Sequence, residues 1–235
     1  MTGFVATFAF FTCFVIFLGN LPKLDEPWLS PTVDTGPALA PLPAALIDLS
    51  LIALFGLQHS LMARPWFKRW LTRAVPQPME RAAYVIAAAL AGFIMLIFWQ
   101  PIPQVLWSVS GAAAALLWSF FALGWAILLV SAINFGIFEL LGLRQACAFY
   151  RGEPQPEPSL KTRGLYRWLG HPMYAGVLMG LWITPHMTVG HALIAAGLTV
   201  YIRIGMHYET RDLSRTFGAA WQVRRPPSQS SPARS

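Results

Sequence analysis

Three groups of polar residues interrupt an otherwise apolar chain of 235 residues, and their types suit chemistry on a charged ligand. The first is Gln58-His59-Ser60, followed by Arg64. The second is Arg144-Gln145. The third and densest runs from Lys161 through Tyr166 and Arg167 to Gly170-His171-Pro172-Met173-Tyr174, and resumes at Tyr208-Glu209-Thr210-Arg211-Asp212. Histidine exchanges a proton near neutrality, so His59 and His171 are candidates for proton handling. Pro172 suits the first turn of a helix, where no N–H partner is needed. The first backbone N–H groups of that helix are then available to an anion. Tyr174, three residues after His171, falls on the same helix face. A carboxylate such as Glu209 and a tyrosine ring both stabilise a cation. A helix start, a histidine, a tyrosine and a carboxylate together suit a zwitterionic ligand that carries hydroxyls and a cation. The same residues also suit a plain helix cap and a solvated interfacial face, and His59 alone suits an interfacial histidine.

Other chemistry is poorly served. No cysteine or histidine spacing matches a zinc site, and no glycine loop is built to cradle phosphate. Cys13 and Cys147 lie in or beside apolar runs and read as small buried hydrophobes, not as a disulfide.

The elements that must position these residues are membrane helices. The chain is 56% hydrophobic and 11% charged, whereas soluble domains carry about a quarter charged residues. Gly3–Gly19, Ala82–Gln100 and Val109–Ile133 contain no charge, and Ala44–Ala63 contains only Asp48. Each is long enough to cross a bilayer. Gly3–Gly19 has no basic flank and no small-residue cleavage site before Leu21, so it reads as a span and not as a signal peptide. The last apolar region, Met173–Met206, is broken at Thr184-Pro185-His186, which predicts a helical hairpin with a short first arm of about 12 residues. The hairpin returns Glu209 to the level of His171. His186 and His191 fall at its far turn and read as structural, and Gly176-x-x-x-Gly180 as a close-packing face.

Sixteen of the seventeen Lys and Arg residues lie on alternate connections, 64–81, 134–170 and the chain beyond 203; the exception is Lys23. The positive-inside rule places those connections and both termini in the cytoplasm, with the clusters above at the cytoplasmic ends of their spans. The formal net charge of +7 is therefore matched to a membrane lipid surface and not to nucleic acid. Trp99 and Trp107, around Pro101 and Pro103, are expected at the outer interface as an aromatic belt. Residues 226–235 are Pro/Ser-rich and are expected to be disordered.

Gly164-Leu-Tyr-Arg-Trp-Leu-Gly-His-Pro-Met-Tyr-Ala-Gly176, then Glu209 and Phe217-Gly218, resembles the isoprenylcysteine carboxyl methyltransferase superfamily of helical membrane enzymes. Leu57-Gln-His-Ser-Leu-Met-Ala-Arg-Pro-Trp-Phe-Lys68, Met79-Glu-Arg81, Trp99-Gln-Pro-Ile-Pro103 and Gly142-Leu-Arg-Gln145 look like its methanethiol S-methyltransferase branch, with NnrU-type proteins as neighbours. The sequence departs from the pattern at Gly170, where the family usually has arginine, at Thr210, where it has a second glutamate, and at Trp221, where tyrosine is usual.

The resemblance implies an all-α polytopic transmembrane bundle of five to six spans with a C-terminal hairpin. It implies one methyltransferase domain over 1–225 in the bacterial inner membrane. S-adenosylmethionine is the implied cofactor, with Tyr166, His171, Pro172, Tyr174 and Glu209 as its site and a small thiol as acceptor. His59 as base and Arg144 as an electrostatic aid to thiol ionisation complete the expectation. A lipid-like acceptor such as a prenylated cysteine carboxylate, or a non-enzymatic NnrU-type role, remains open at this level.

Overall fold

A computed structural model describes residues 2–20, 32–37, 39–156 and 164–218. Lys23, Lys161, Arg163, Trp221 and the stretch 226–235 lie outside the described residues. Five helices are long and apolar enough to cross a membrane: Thr2–Gly19, Pro41–Met62, Gln77–Phe98, Gly111–Phe135 and Val189–Arg215. The chain is an all-α polytopic bundle and a multi-pass membrane protein.

In chain order the helices are α1 (Thr2–Gly19), α2 (Pro41–Met62), α3 (Pro65–Leu71), α4 (Glu80–Phe98), α5 (Gly111–Phe135), α6 (Ile137–Leu140), α7 (Leu143–Arg151), α8 (Pro172–Trp182) and α9 (Val189–Phe217). Arg64-Pro65 separates α2 from α3, with the proline at the first helical position. Pro76 likewise precedes, and Pro78 lies within, the 3-10 turn Gln77–Met79 that opens α4.

The predicted hairpin is present and its two arms are unequal. Its first arm, α8, has 11 residues, a rise of about 17 Å. The chain then bends at Pro185 and runs through a short strand, His186–Thr188, before α9 begins. The second arm, α9, has 29 residues, about 43 Å, which exceeds the roughly 30 Å hydrocarbon core. Glu209, 20 residues after Val189, therefore sits about 30 Å along α9 from its start, a distance comparable to the hydrocarbon core.

Close packing fixes the short arm. A Cβ on Gly176 would lie 2.6 Å from the Gly124 carbonyl oxygen, and one on Gly180 would lie 2.6 Å from the Trp125 ring. The glycines thus bring α8 onto α5 nearly backbone to backbone, as their spacing predicts. Phe14, Phe121 and Trp125 lock α1 to α5 with edge-to-face rings 5.9–6.0 Å apart. Phe10 lies over Gly92 of α4, where a Cβ would meet its ring at 2.3 Å.

The end of the bundle remote from Glu209 differs from the sequence reading in two ways. Val105–Ser108 and His186–Thr188 form a two-stranded antiparallel pair, β1 and β2, that joins the α4–α5 connection to the hairpin turn. Trp99 is not part of an exposed belt. It is 1% exposed, edge-on to Phe17, and its indole N–H donates to the Val33 carbonyl at 3.2 Å. Its neighbours on α1 and the 32–37 segment leave it no path to the lipid. Trp107 does stay half-exposed, donating to the Thr184 carbonyl.

Asp34 ties that end together, accepting from Asn20 at 2.6 Å and from Thr188 at 2.5 Å. His191 is buried with its ring against the Leu181 carbonyl at 2.9 Å, a structural role as expected. Cys147, expected to be buried, is instead exposed on α7, and Cys13 is part-buried; neither is in a disulfide.

Candidate functional site

The ends of α2 and α9 and the starts of α4 and α8 converge at one end of the bundle, and the polar clusters come with them. His171 is the N-cap of α8 with φ −136° and ψ 68°, and its side chain does not cap the helix. The ring turns to α9 instead. Its Nδ1 lies 3.7 Å from Glu209 Oε2, and its Nε2 lies 3.3 Å from the Thr210 hydroxyl. One turn along, the Tyr174 phenol donates to Glu209 Oε2 at 2.6 Å, and its ring stacks on His171 at 5.5 Å. Glu209 is 41% exposed, so a carboxylate already aligned by two side chains still opens to the surface.

The local sequence explains this alignment. Gly164 has φ +58° and abuts Asn134 at the end of α5, closer than any Cβ would allow. The turn it opens, Gly164–Arg167, buries Tyr166 near Phe135, ring to ring at 6.1 Å. That anchor sets where the chain enters α8, and Pro172 starts the helix directly after His171. Gly170 has open space at its Cβ position, so nothing in the fold requires glycine there.

His59 lies deeper. Tyr201, its neighbour on α9, precedes Glu209 by eight residues, about 12 Å along the helix. The His59 ring is 4.8 Å from the Tyr84 ring on α4, 5.6 Å from Phe55 and 5.9 Å from Tyr201. Its Nδ1 is sealed from solvent and has no hydrogen-bond partner among the described residues. Leaving such an atom unsatisfied costs about 1–3 kcal/mol. Tyr174 lies within electrostatic reach of both Tyr201 and Tyr84. The rings around His59 therefore continue inward from the Tyr174–Glu209 pair.

Arg144 is placed differently. Its side chain is 64% exposed and its guanidinium pairs with Glu139 at 3.5 Å, on the short helices α6 and α7. These are separated by Gly142, whose φ of +77° and whose close approach to Arg81 and Ala82 both require glycine. No described contact joins Arg144 to His59. Arg81, quoted in the motif Met79-Glu-Arg81 but given no role there, is within electrostatic reach of His59 and donates from Nε to the Leu140 carbonyl at 2.9 Å. Arg64 lies over the Tyr208 ring at 4.3 Å, joining the end of α2 to the residue before Glu209.

Sequence reasoning thus selected His171, Tyr174 and Glu209, which the fold brings together, gave Arg81 no role, and did not mark Tyr84 and Tyr201. Tyr84 and Tyr201 belong to no sequence motif quoted above, and their position against His59 distinguishes them. No group of three or more metal-ligating side chains occurs among the described residues.

The chain is 43% identical over 192 residues to a methanethiol S-methyltransferase of Pseudomonas deceptionensis, covering 81% of this chain and 73% of that protein. It is 40% identical over 220 residues to methanethiol S-methyltransferase 2 of Bradyrhizobium diazoefficiens, covering 93% and 83%. Nurim of Sus scrofa is more distant, at 31% over 222 residues, covering 88% and 82%. No family model matches the chain, and no solved structure does. At this identity, over most of both chains, the protein belongs to the methanethiol S-methyltransferase family.

Proposed function

We propose that the protein is an S-adenosylmethionine-dependent methyltransferase of the bacterial inner membrane that methylates methanethiol. The observation that carries this reading is the His171–Tyr174–Glu209 group. A carboxylate is oriented by a phenol at 2.6 Å and faced by an imidazole at 3.7 Å, at the boundary where α8 begins.

The residues present fit the cofactor. Glu209 and the aromatic rings suit a cation. The first N–H groups of α8 suit a carboxylate. When bound, S-adenosylmethionine supplies an electrophilic methyl group on a sulfonium centre.

The chain's own residues do the rest. Tyr174 holds the Glu209 carboxylate in place, His171 and Pro172 set the start of α8, and Tyr166 anchors the segment that leads into it. His59, through its sealed Nδ1, accepts the thiol proton, because the thiolate and not the thiol is the nucleophile. The rings around it exclude water, so charge neutralisation on methyl transfer proceeds in a medium that favours it. Arg81 is the cation closer to His59; Arg144 contributes positive potential at the mouth. The rings packed closely about His59 favour a small thiol over a prenylated acceptor.

The cation asymmetry supports cytoplasmic termini and a site at the cytoplasmic face, within one domain over 1–225. Calorimetric titration of the purified protein with S-adenosylmethionine tests the reading. Saturable binding that weakens in Glu209→Gln is expected, and the absence of binding by the wild type overturns it.

A further inference from the structure

We propose that Tyr84 and Tyr201 form the seat of the acceptor and set its size, admitting a sulfur with a single carbon and rejecting longer alkyl chains. The inference rests on reading the chain as a thiol methyltransferase and adds two residues from helices α4 and α9.

Three rings surround the His59 imidazole. Tyr84 is at 4.8 Å, Phe55 at 5.6 Å and Tyr201 at 5.9 Å, and Phe55 and Tyr201 are themselves 6.0 Å apart. Aromatic rings at these centroid separations are in contact, so the imidazole is walled on several sides. Tyr201 has no room to retreat towards α2. A Cβ on Gly56 would sit only 3.1 Å from its Cδ2 atom, so the ring lies against the bare helix backbone. His59 Nδ1, at the centre of these rings, is buried and without a partner among the described residues. A buried ring nitrogen that the fold leaves unsatisfied, enclosed by rings, matches a small ligand with one hydrogen-bonding group and little else, and in the tautomer that leaves Nδ1 unprotonated that group is a donor. A small thiol has that character, and sulfur packs favourably against ring edges. Tyr201 lies eight residues, about 12 Å along α9, from the surface-open Glu209, which separates an apolar acceptor from a charged donor.

The test uses the full-length protein in detergent. Saturation-transfer NMR without any methyl donor measures binding of methanethiol and of butanethiol. Turnover with S-adenosylmethionine compares methanethiol with butanethiol. In wild type the short ligand is preferred in both measurements. Tyr84→Leu and Tyr201→Leu each raise the butyl-to-methyl ratio by about tenfold or more, the scale on which a pocket discriminates methylene groups. Tyr84→Phe and Tyr201→Phe keep the wild-type ratio, because the ring and not the hydroxyl sets the size. The variants lie on different helices, so either Leu variant that folds decides the matter. Wild-type ratios in the Leu variants, with the wild type active on methanethiol, overturn the seat alone. A wild type that binds S-adenosylmethionine but methylates neither thiol overturns the thiol reading together with the seat.

Discussion

Tyr174 and Glu209 meet across 2.6 Å, joining the third residue of α8 to the twenty-first of α9. The bond spans the hairpin at its open end, where no turn holds the arms together. Removing either partner is therefore expected to affect ligand binding more than folding. Tyr174→Phe loses one hydrogen bond to a charged group, costing about 1.5–3 kcal/mol when the acceptor is left without its donor. The expectation is a roughly tenfold or greater weakening of S-adenosylmethionine binding with a melting temperature near that of wild type. Titration calorimetry and a thermal melt in detergent check the two halves separately.

Thr210 and Gly170 are the departures from the family pattern that the structure describes. The Thr210 hydroxyl reaches His171 Nε2 at 3.3 Å, so a carboxylate at 210 would face His171 from the side opposite Glu209. Thr210→Glu is expected to leave activity unchanged or raise it. Open space at Gly170 means Gly170→Arg should fold within about 0.5 kcal/mol of wild type, as surface substitutions do. Thioether formation and thermal melts of the two variants are the measurements. A loss of folding in Gly170→Arg contradicts the open position.

The glycine seam between α5 and α8 makes a contrasting prediction. Because a Cβ on Gly176 would lie 2.6 Å from the Gly124 carbonyl and 2.7 Å from the Leu128 amide nitrogen, backbone itself must shift. Gly176→Leu should destabilise by about 2–4 kcal/mol and abolish activity by moving α8. The same substitution at Gly170, where nothing is near, should be tolerated. Melting curves of the two variants should differ by several degrees or more.

Much of this arrangement was legible in the sequence. The charge-free runs and the break at Thr184-Pro185-His186 predict the spans and the hairpin, because the bilayer imposes a length and proline a stop. His171, Tyr174 and Glu209 were legible because the hairpin geometry alone returns 209 to the level of 171. The β1–β2 pair was not, since strands of four and three residues, each beginning one or two residues after a proline, give no period to read. Trp99 was read as an interfacial anchor, but its burial depends on α1 and on the 32–37 segment, distant in sequence. Tyr84 and Tyr201 carry no local signal at all. Their importance comes from three helices meeting around His59, which is a property of packing and not of pattern.

Orientation rests on sixteen of seventeen cations lying on alternate connections. Reporter fusions after Leu29 and after Gln229 should behave oppositely, the first exported and the second cytoplasmic. Identical behaviour at both positions contradicts the proposed placement of the site at the cytoplasmic face.

The central claim is that Glu209, held by Tyr174, makes this end of the bundle a methyl-transfer site for a small thiol. Gas chromatography of the headspace above purified protein, methanethiol and S-adenosylmethionine measures dimethyl sulfide directly. Wild type should produce it steadily, and Glu209→Gln should lower the rate by about a hundredfold or more, the loss of a charge interaction of about 3 kcal/mol in the transition state. Near-wild-type turnover by Glu209→Gln would contradict the account, leaving Glu209 an ordinary interfacial charge.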